Sequence, residues 1–555
     1  MIKKLLLILL VSFSMDTIAQ NRYVILFTDK NNTPFTIGNP QAFLSPRSIN
    51  RRAAQGINIT TSDLPVDPDY IQQVAAISGV TVLNHSKWFN SVTVDLTSPS
   101  VLTAINALPF VVNSVNVGRH SFVPSAIDKF GDELKGPVKK DALPALRTAS
   151  FDYGNATNQT QMININALHD LGYSGQGMII AVIDGGFQDA NLMSCFDSLF
   201  MQNRLISTWD FVSNDVNVFD DNWHGTAVLS TMAANIPGDM IGTAPRASYI
   251  LLRSEDVATE NIIEEYNWSS AAEYADSAGA DVITSSLGYT EFDDPSQNHT
   301  YQDMDGNTAP GTIAADLAAS KGILVVNSAG NSGGSSWNYI GCPADGDSVL
   351  AIGAVDGSGM YAGFSSQGPS FDGRVKPDVT AQGQGTTVYE PGIVPSTQSN
   401  GTSFSGPIIA GAVTCLWQRY PAKNNMEITD AVKASASQFT TPDGFLGYGI
   451  PDFGAAVLLL GGYEPSLFND GLAVIDFFPN PLASGQTLNY QFFSRYKETI
   501  DLDIIDMNGK KMAEQKIIPS STIIPIEIDT KLPAGIYFIR AITENKSVIQ
   551  KLVIY

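Results

Sequence analysis

Cysteine is scarce in this chain. Its three cysteines, Cys195, Cys342 and Cys415, stand far apart in 555 residues and form no Cys-x-x-Cys pair. With only five histidines they also give no zinc-type spacing, so neither a dithiol redox centre nor a zinc ribbon is expected. Buried single thiols are the expectation, with one long-range disulfide as the alternative. Basic residues are in short supply as well: 32 Lys and Arg face 55 Asp and Glu, for a formal charge of -23. That balance argues against nucleic acid or an anionic membrane as partner. Beyond the N-terminus no apolar run reaches the length of a membrane span, and there are no internal repeats.

What is present describes an ordered globular chain. Hydrophobic residues make up 44% and charged residues 16%, enough for sizeable cores, and the length suits about three or four domains. Lys3 and Lys4 precede the apolar run Leu5 to Phe13, and Thr17-Ile18-Ala19 offers small residues for cleavage. Residues 1–19 therefore read as a secretory signal peptide. The mature protein is expected to be exported and soluble, or held at a surface by something other than a span.

Residues 21–118 read as a compact α+β unit. Strands are expected at Arg22 to Phe27, Val80 to Leu83, Ser91 to Leu96 and Val111 to Val117, with helices at Asp69 to Ile77 and Ser98 to Leu108. Residues 119–150 are polar, with Lys129, Lys135, Lys139 and Lys140 among several prolines, and read as an exposed connector open to nicking. From 151 to 461 the pattern is α/β. The continuous apolar run Met178 to Ile183 suits a parallel strand buried on both faces. Strands and helices then alternate through Tyr249 to Leu252, Glu260 to Ala278, Asp281 to Thr284, Gly311 to Ser320, Ile323 to Val326 and Val349 to Val355. A doubly wound parallel sheet is expected, with its site at the carboxyl ends of the strands. Asp184, Ser286 and Asn331 all fall there. After a linker over 462–472, residues 473–555 read as a small all-β sandwich, with turns such as Asn508-Gly509 between alternating runs.

One stretch concentrates the chemistry. Asn400 to Pro407 is a small-residue turn running into the helical pattern Ile408, Ile409, Ala412, Val413, Leu416. Ser403 would stand near a helix N-terminus, where unpaired N–H groups favour a developing anion. The alternative is an ordinary N-cap serine. A nucleophilic serine also needs a base, a carboxylate to orient the base, and oxyanion donors. His224, presented by Trp223-His224-Gly225-Thr226 at a helix start, could be the base, whereas His85, His120, His169 and His299 read as structural or solvated. Asp184 could hold its ring in the tautomer that turns the other nitrogen toward Ser403, or simply cap a loop. Asn331 could donate to an oxyanion with the Ser403 N–H, or be a turn asparagine.

These elements in the order Asp, His, Asn, Ser resemble the subtilisin-like serine peptidases. The resemblance rests on Ala181-Val182-Ile183-Asp184, His224-Gly225-Thr226, Ser286-Leu287-Gly288, Ala329-Gly330-Asn331 and Gly401-Thr402-Ser403 with Pro407. It implies a triad of Asp184, His224 and Ser403, with Asn331 as oxyanion donor. It further implies a peptide cleft walled by Ser286, Leu287 and Gly288 on one side and Ser328, Ala329 and Gly330 on the other. The sequence departs from the family at Gly185, where Ser or Thr is usual, at Trp223, at Phe404-Ser405-Gly406 and at Gln382. The opening unit resembles the family's inhibitory pro-domain, a partner within the same chain. The closing unit, with Pro479-Asn480-Pro481, Leu532 to Tyr537 and Lys551 to Tyr555, resembles a type IX secretion sorting domain, which implies secretion machinery as partner. An accessory sandwich binding substrate or carbohydrate is the alternative. No cofactor is implied for catalysis. Asp303, Asp305 and Asn307 place oxygens at alternate positions, so a structural calcium is an expectation beside a solvated turn. The function expected is secreted serine endopeptidase acting on polypeptides; the rival is a catalytically weak surface protein that binds peptides or glycans.

Overall fold

The computed structural model describes residues 20–120, 129–130, 133, 151–461, 472–494, 499–518, 523–529, 531–544 and 546–555. The expected signal peptide and nearly all of the expected linker lie outside them. Strands β1 (Gln20–Phe27), β2 (Val80–Ser86), β3 (Ser91–Leu96) and β4 (Val111–His120) form an antiparallel sheet in the order β2-β3-β1-β4. Helices α1 (Pro46–Ala54), α2 (Pro68–Ala75) and α3 (Val101–Asn106) belong to this unit. Val74 of α2 and Ile105 of α3 join Ile25, Val92, Val94 and Leu96 in its core.

The large domain is built on seven parallel strands. In chain order they are β5 (Ile179–Asp184), β6 (Leu205–Asp210), β7 (Ser248–Arg253), β8 (Val282–Ser285), β9 (Leu324–Ser328), β10 (Val349–Val355) and β11 (Val379–Gln382). Their spatial order is β11-β10-β9-β8-β5-β7-β6. The first strand is thus interior: the chain runs from it to the β6 edge, returns through β7, crosses to β8 and then winds outward through β9, β10 and β11. β5 is buried on both faces because its side chains alternate. Ile180 and Val182 meet α4 (His224–Ala233) and α7 (Thr402–Arg419), while Ile179, Ala181 and Ile183 meet the layer of α5 (Ile263–Ala278) and α6 (Pro310–Ser320). Ile408, Ile409, Ala412, Val413 and Leu416 of α7 all enter the first of these cores.

Two carboxylates on α5 receive the opening unit. Glu273 and Asp276 are three residues apart, so they share a helix face. Glu273 accepts from the Ser86 hydroxyl and from the N–H groups of Lys87 and Trp88. Asp276 pairs with Arg51 at 2.6 Å, Arg52 at 2.9 Å and Lys87 at 3.0 Å. Burial opposes its charge, but Lys87, Arg51 and Arg52 outweigh burial and hold the carboxyl well below its ordinary value. These contacts explain why α1 is missing from the expected elements. Its buried face is Ser48, Arg51 and Arg52, so no apolar period marks it.

The closing unit packs sheet β12-β13-β16, made of Leu472–Phe478, Thr487–Ser494 and Ile523–Asp529, with sheet β15-β14-β17-β18. The latter comprises β14 (Ile500–Asp506), β15 (Lys511–Ile517), β17 (Gly535–Ile542) and β18 (Ser547–Ile554). Tyr490, Leu502, Ile504, Ile539 and Leu552 share its core. Asn480 holds the last strand, donating to Lys551 O at 3.0 Å and accepting from Val553 N at 2.9 Å. Cys195, Cys342 and Cys415 are separate buried thiols. Among the described residues no helix is long and apolar enough to cross a membrane.

Candidate active site

Asp184 is the last residue of β5, Ser286 follows β8 directly, and Asn331 lies three residues beyond the end of β9. His224 is the first residue of α4 and Ser403 the second of α7. All of them converge at the carboxyl edge of the sheet. Gly225 makes the approach possible: a Cβ there would lie 2.3 Å from Gly186 O and 3.0 Å from Asp184 Cβ. With that clearance His224 Nδ1 sits 2.7 Å from Asp184 Oδ1, which also accepts from Gly185 N–H at 2.7 Å. Asp184 Oδ2 has no hydrogen-bond partner among the described residues. Gly185, where the family's hydroxyl is missing, has its Cβ space bounded by Phe130 at 3.0 Å and Val257 at 3.1 Å.

Pro407 has a consequence for Ser403. A proline four residues on cannot return a helical N–H, so the Ser403 carbonyl loses its helix partner. The Ser286 hydroxyl takes that place, donating to Ser403 O at 2.9 Å. Asn331 is oriented just as firmly. Its Oδ1 accepts from Thr402 N–H at 2.9 Å and from the Thr402 hydroxyl at 3.0 Å, which turns Nδ2 toward Ser403. The Thr402 oxygen in turn accepts from Gly330 N–H at 3.1 Å. Phe404 is fully buried, and its ring centroid lies 6.0 Å from that of His224.

The residue at the centre is one the motifs do not contain. Glu133 Oε1 accepts from Ser403 Oγ at 2.7 Å and from Asn331 Nδ2 at 2.6 Å, while Oε2 lies 2.9 Å from His224 Nε2. The Glu133 carbonyl accepts from Asn400 N–H and from the Ser399 hydroxyl, both at 3.2 Å. Gly401 leaves room for it: its φ is +151°, and a Cβ there would stand 2.9 Å from the Glu133 carboxyl carbon. Phe130 stacks on the His224 ring, with centroids 3.8 Å apart and planes 12° from parallel. Two sequence expectations are corrected here. His224 Nε2 faces the Glu133 carboxylate in place of Ser403, and the connector, at its described residues, is buried in the cleft where exposure was expected. Phe130 and Glu133 are each only 7% exposed.

The charge state follows from this neighbourhood. Burial works against protonating His224, but the carboxylates of Asp184 and Glu133 outweigh it and raise its pKa to about 10. Burial in turn pushes Asp184 above its ordinary value, against the pull of the imidazole and of Gly185 N–H. The imidazole is therefore a cation at neutral pH, clamped between two carboxylates, and is not free to take a proton from Ser403.

The cleft around these atoms has a volume of about 330 Å³. Ser286, Leu287 and Gly288 line it, as do Ser328, Ala329 and Gly330. Glu255 and Glu260 line it too, and Lys129 reaches Glu255, Glu260 and Glu264 at 2.8, 2.8 and 2.7 Å. Nothing local in the sequence marks Lys129, Phe130, Glu133 or these three glutamates, since each meets partners distant in the chain. Elsewhere, His169 is a structural residue between the Tyr153 hydroxyl and Thr243 O. At the expected calcium turn, Asp303 accepts from Thr300, and Asp305 from Asn307 N–H and Thr308. These bonds describe a self-capped turn. Among the described residues no group of three or more His, Cys, Asp or Glu side chains is arranged to hold a metal ion.

Comparison with known proteins covers most of the chain in three blocks. The subtilase family (Peptidase_S8) matches residues 175–449, the Bacteroidota peptidase S8 propeptide domain residues 22–128, and the secretion system C-terminal sorting domain residues 476–555. The chain is similar to subtilisin E of Bacillus subtilis (strain 168), with 32% identity over 304 residues, 54% of this chain and 70% of that protein. Subtilisin DY of Bacillus licheniformis is 33% identical over 285 residues, 50% of this chain and 89% of that protein. Among solved structures, MycP1 with its N-terminal propeptide removed is matched at 23% identity and a TM-score of 0.44, over 54% of this chain and 96% of that chain. The sorting domain indicates export to the cell surface or the medium. Carrying a propeptide ahead of its peptidase domain and a sorting domain behind it, the chain belongs to the subtilase family of serine endopeptidases.

Proposed function

We propose that the chain is the precursor of an exported endopeptidase that cleaves polypeptides through an acyl-enzyme intermediate, with Asp184, His224 and Ser403 as its triad. One observation carries this reading. Ser403 Oγ, His224 Nε2 and Asn331 Nδ2 all bond one carboxylate, the shape a cleaved peptide's new C-terminus would present. In the reaction, Ser403 Oγ attacks the scissile carbonyl carbon as neutral His224 removes its proton at Nε2. Asp184 holds the imidazole through Nδ1 and stabilises the cation formed. Asn331 Nδ2 and the Ser403 N–H, an unpaired amide in the first turn of α7, receive the oxyanion. The imidazolium then protonates the leaving amine; a water, deprotonated by His224, attacks the acyl carbon, and the imidazolium returns that proton to Ser403 Oγ as the C–Oγ bond breaks.

Glu133 keeps this machinery closed before processing. It occupies the oxyanion donor and the nucleophile together, and it holds the base in its charged form. The opening unit, docked on α5, keeps the connector in place, so inhibition and propeptide removal belong to one event. A structural calcium is not needed for any step, and the self-capped turn at Asp303 and Asp305 gives it no support.

The processed, secreted protein should react with a fluorophosphonate at neutral pH, and Ser403→Ala should abolish the reaction. Asn331→Ala should lower the turnover of a peptide substrate by roughly 100-fold, the usual loss for one oxyanion donor. A processed wild-type protein that takes no label would sink the enzyme reading and leave a peptide-binding surface protein in its place.

A further inference from the structure

Lys129 lies in a pocket that belongs to the peptidase domain. Its ammonium has three donors, and three carboxylate oxygens meet them: Glu255 Oε2 at 2.8 Å, Glu260 Oε2 at 2.8 Å and Glu264 Oε2 at 2.7 Å. Among the described residues Lys129 is the one cation paired with these groups. The pocket is built independently of its occupant. Glu255 turns its other oxygen to the Tyr289 hydroxyl at 2.5 Å and the Ser254 hydroxyl at 3.1 Å. Glu264 Oε1 accepts from Asp256 N–H at 3.0 Å. The side chains of Glu255 and Glu264 are each 1% exposed, and that of Glu260 is 25% exposed. The oxygens left over all point at one spot. That spot opens on the same cleft as Ser403 and Asn331.

We propose that Glu255, Glu260 and Glu264 form a substrate subsite that selects a lysine or arginine side chain, a site which Lys129 fills until the connector leaves. This rests on the endopeptidase reading above and names the class of polypeptide it acts on. The occupant comes from the segment that also places Phe130 on His224 and Glu133 on Ser403, so the connector's described residues lie in the cleft with its own lysine in the acidic pocket. When that segment departs, three converging carboxylates remain with no cation. Burial already raises Glu260 to about 7 and pushes Glu264 well above its ordinary value against the pull of Lys129. A pocket in that state takes up a cation or protons, and a substrate ammonium or guanidinium supplies the cation with its hydrogen bonds in place. Apolar and acidic side chains leave the carboxylates unsatisfied and are disfavoured.

Two experiments test this. In the first, the processed enzyme is offered peptides carrying lysine, arginine, norleucine or glutamate at each of the five positions before the cut, at pH 8. At one position the basic peptides should exceed norleucine in kcat/KM by at least roughly tenfold, the range of a buried charge-assisted bond. Glu255→Gln should bring that ratio toward one. An enzyme that takes the fluorophosphonate label and cleaves peptides, yet shows no basic preference at any of these positions, overturns the proposal. In the second, full-length Lys129→Met and Lys129→Arg chains are compared with the parent by hydrogen exchange at residues 129–133. This reads the pocket without catalysis. Faster exchange in Lys129→Met with Lys129→Arg like the parent supports a cation site, and equal exchange in all three overturns it. Should no form of the protein take the label, the peptidase reading fails by itself while the exchange result still decides the pocket.

Discussion

His224 holds a positive charge only while its two carboxylate neighbours are in place, and this gives the closed state a pH dependence. Its pKa is raised to about 10, above the ordinary value of about 6.5. The sign is that of a group raised on folding: the stabilisation is complete below about 6.5 and is lost as pH rises through about 10. The unprocessed chain should therefore be closed at neutral pH and open on the alkaline side. Glu133→Gln keeps the shape of the side chain and removes one of the two raising charges. In the full-length chain it should move the pH profile of fluorophosphonate labelling downward, and labelling at pH 7 should quicken by roughly tenfold for every pH unit the profile moves. A profile that superposes on the parent's would show that Glu133 does not control the base. Phe404, one of the departures from the family, belongs to the same environment. It is fully buried beside the ring that Phe130 covers in the closed state.

Helix α5 does at the scale of an element what Glu133 does at the scale of a residue. Its Asp276 sits among Arg51, Arg52 and Lys87, all from the propeptide unit. Replacing it by asparagine leaves three buried cations without their shared carboxylate, and breaking a buried pair in this way costs about 3–5 kcal/mol. Asp276→Asn should thus lower the thermal stability of the full-length chain and raise hydrogen exchange in α1 and in the hairpin of β2 and β3. Unchanged exchange there would mean that apolar contacts alone hold the two units together. Because the carboxyl is held below its ordinary value, its contribution is present above about pH 4 and disappears only as pH falls through the lowered pKa. Mild acid should leave the propeptide docked.

Over the whole molecule the three units keep their main cores beside a smaller apolar seam, where Val24 and Val117 of the propeptide unit meet Ile263 of α5. The propeptide unit, the peptidase domain and the closing sandwich each pack their own apolar residues, with Leu482, Tyr490, Leu502, Ile539 and Leu552 belonging to the last. A chain ending at residue 461 should keep the peptidase core and lose export. Fractionated cells should then hold fluorophosphonate-reactive protein internally, with none at the surface or in the medium. Export of the shortened chain at the parent's level would remove the sorting role from residues 476–555.

The amino-acid sequence by itself was enough to expect a doubly wound α/β domain and to single out Asp184, His224, Asn331 and Ser403. Those residues sit where an apolar run stops or a small-residue turn enters a helix, and such patterns are local. Ser286 was legible as a cleft residue, but its bond to the carbonyl that Pro407 leaves free was not, because 117 residues separate Ser286 from Ser403. Helix α1 escaped notice because arginines, and not leucines, make its buried face. Glu133 lies 91 residues from His224 and 270 from Ser403. A lone glutamate or lysine in a polar stretch reads the same in water as in a polar cleft. Only the tertiary structure decided that Glu133 meets Ser403, His224 and Asn331 together and that Lys129 fills an acidic pocket beside them. These contacts are electrostatic, long-range and free of any periodic pattern.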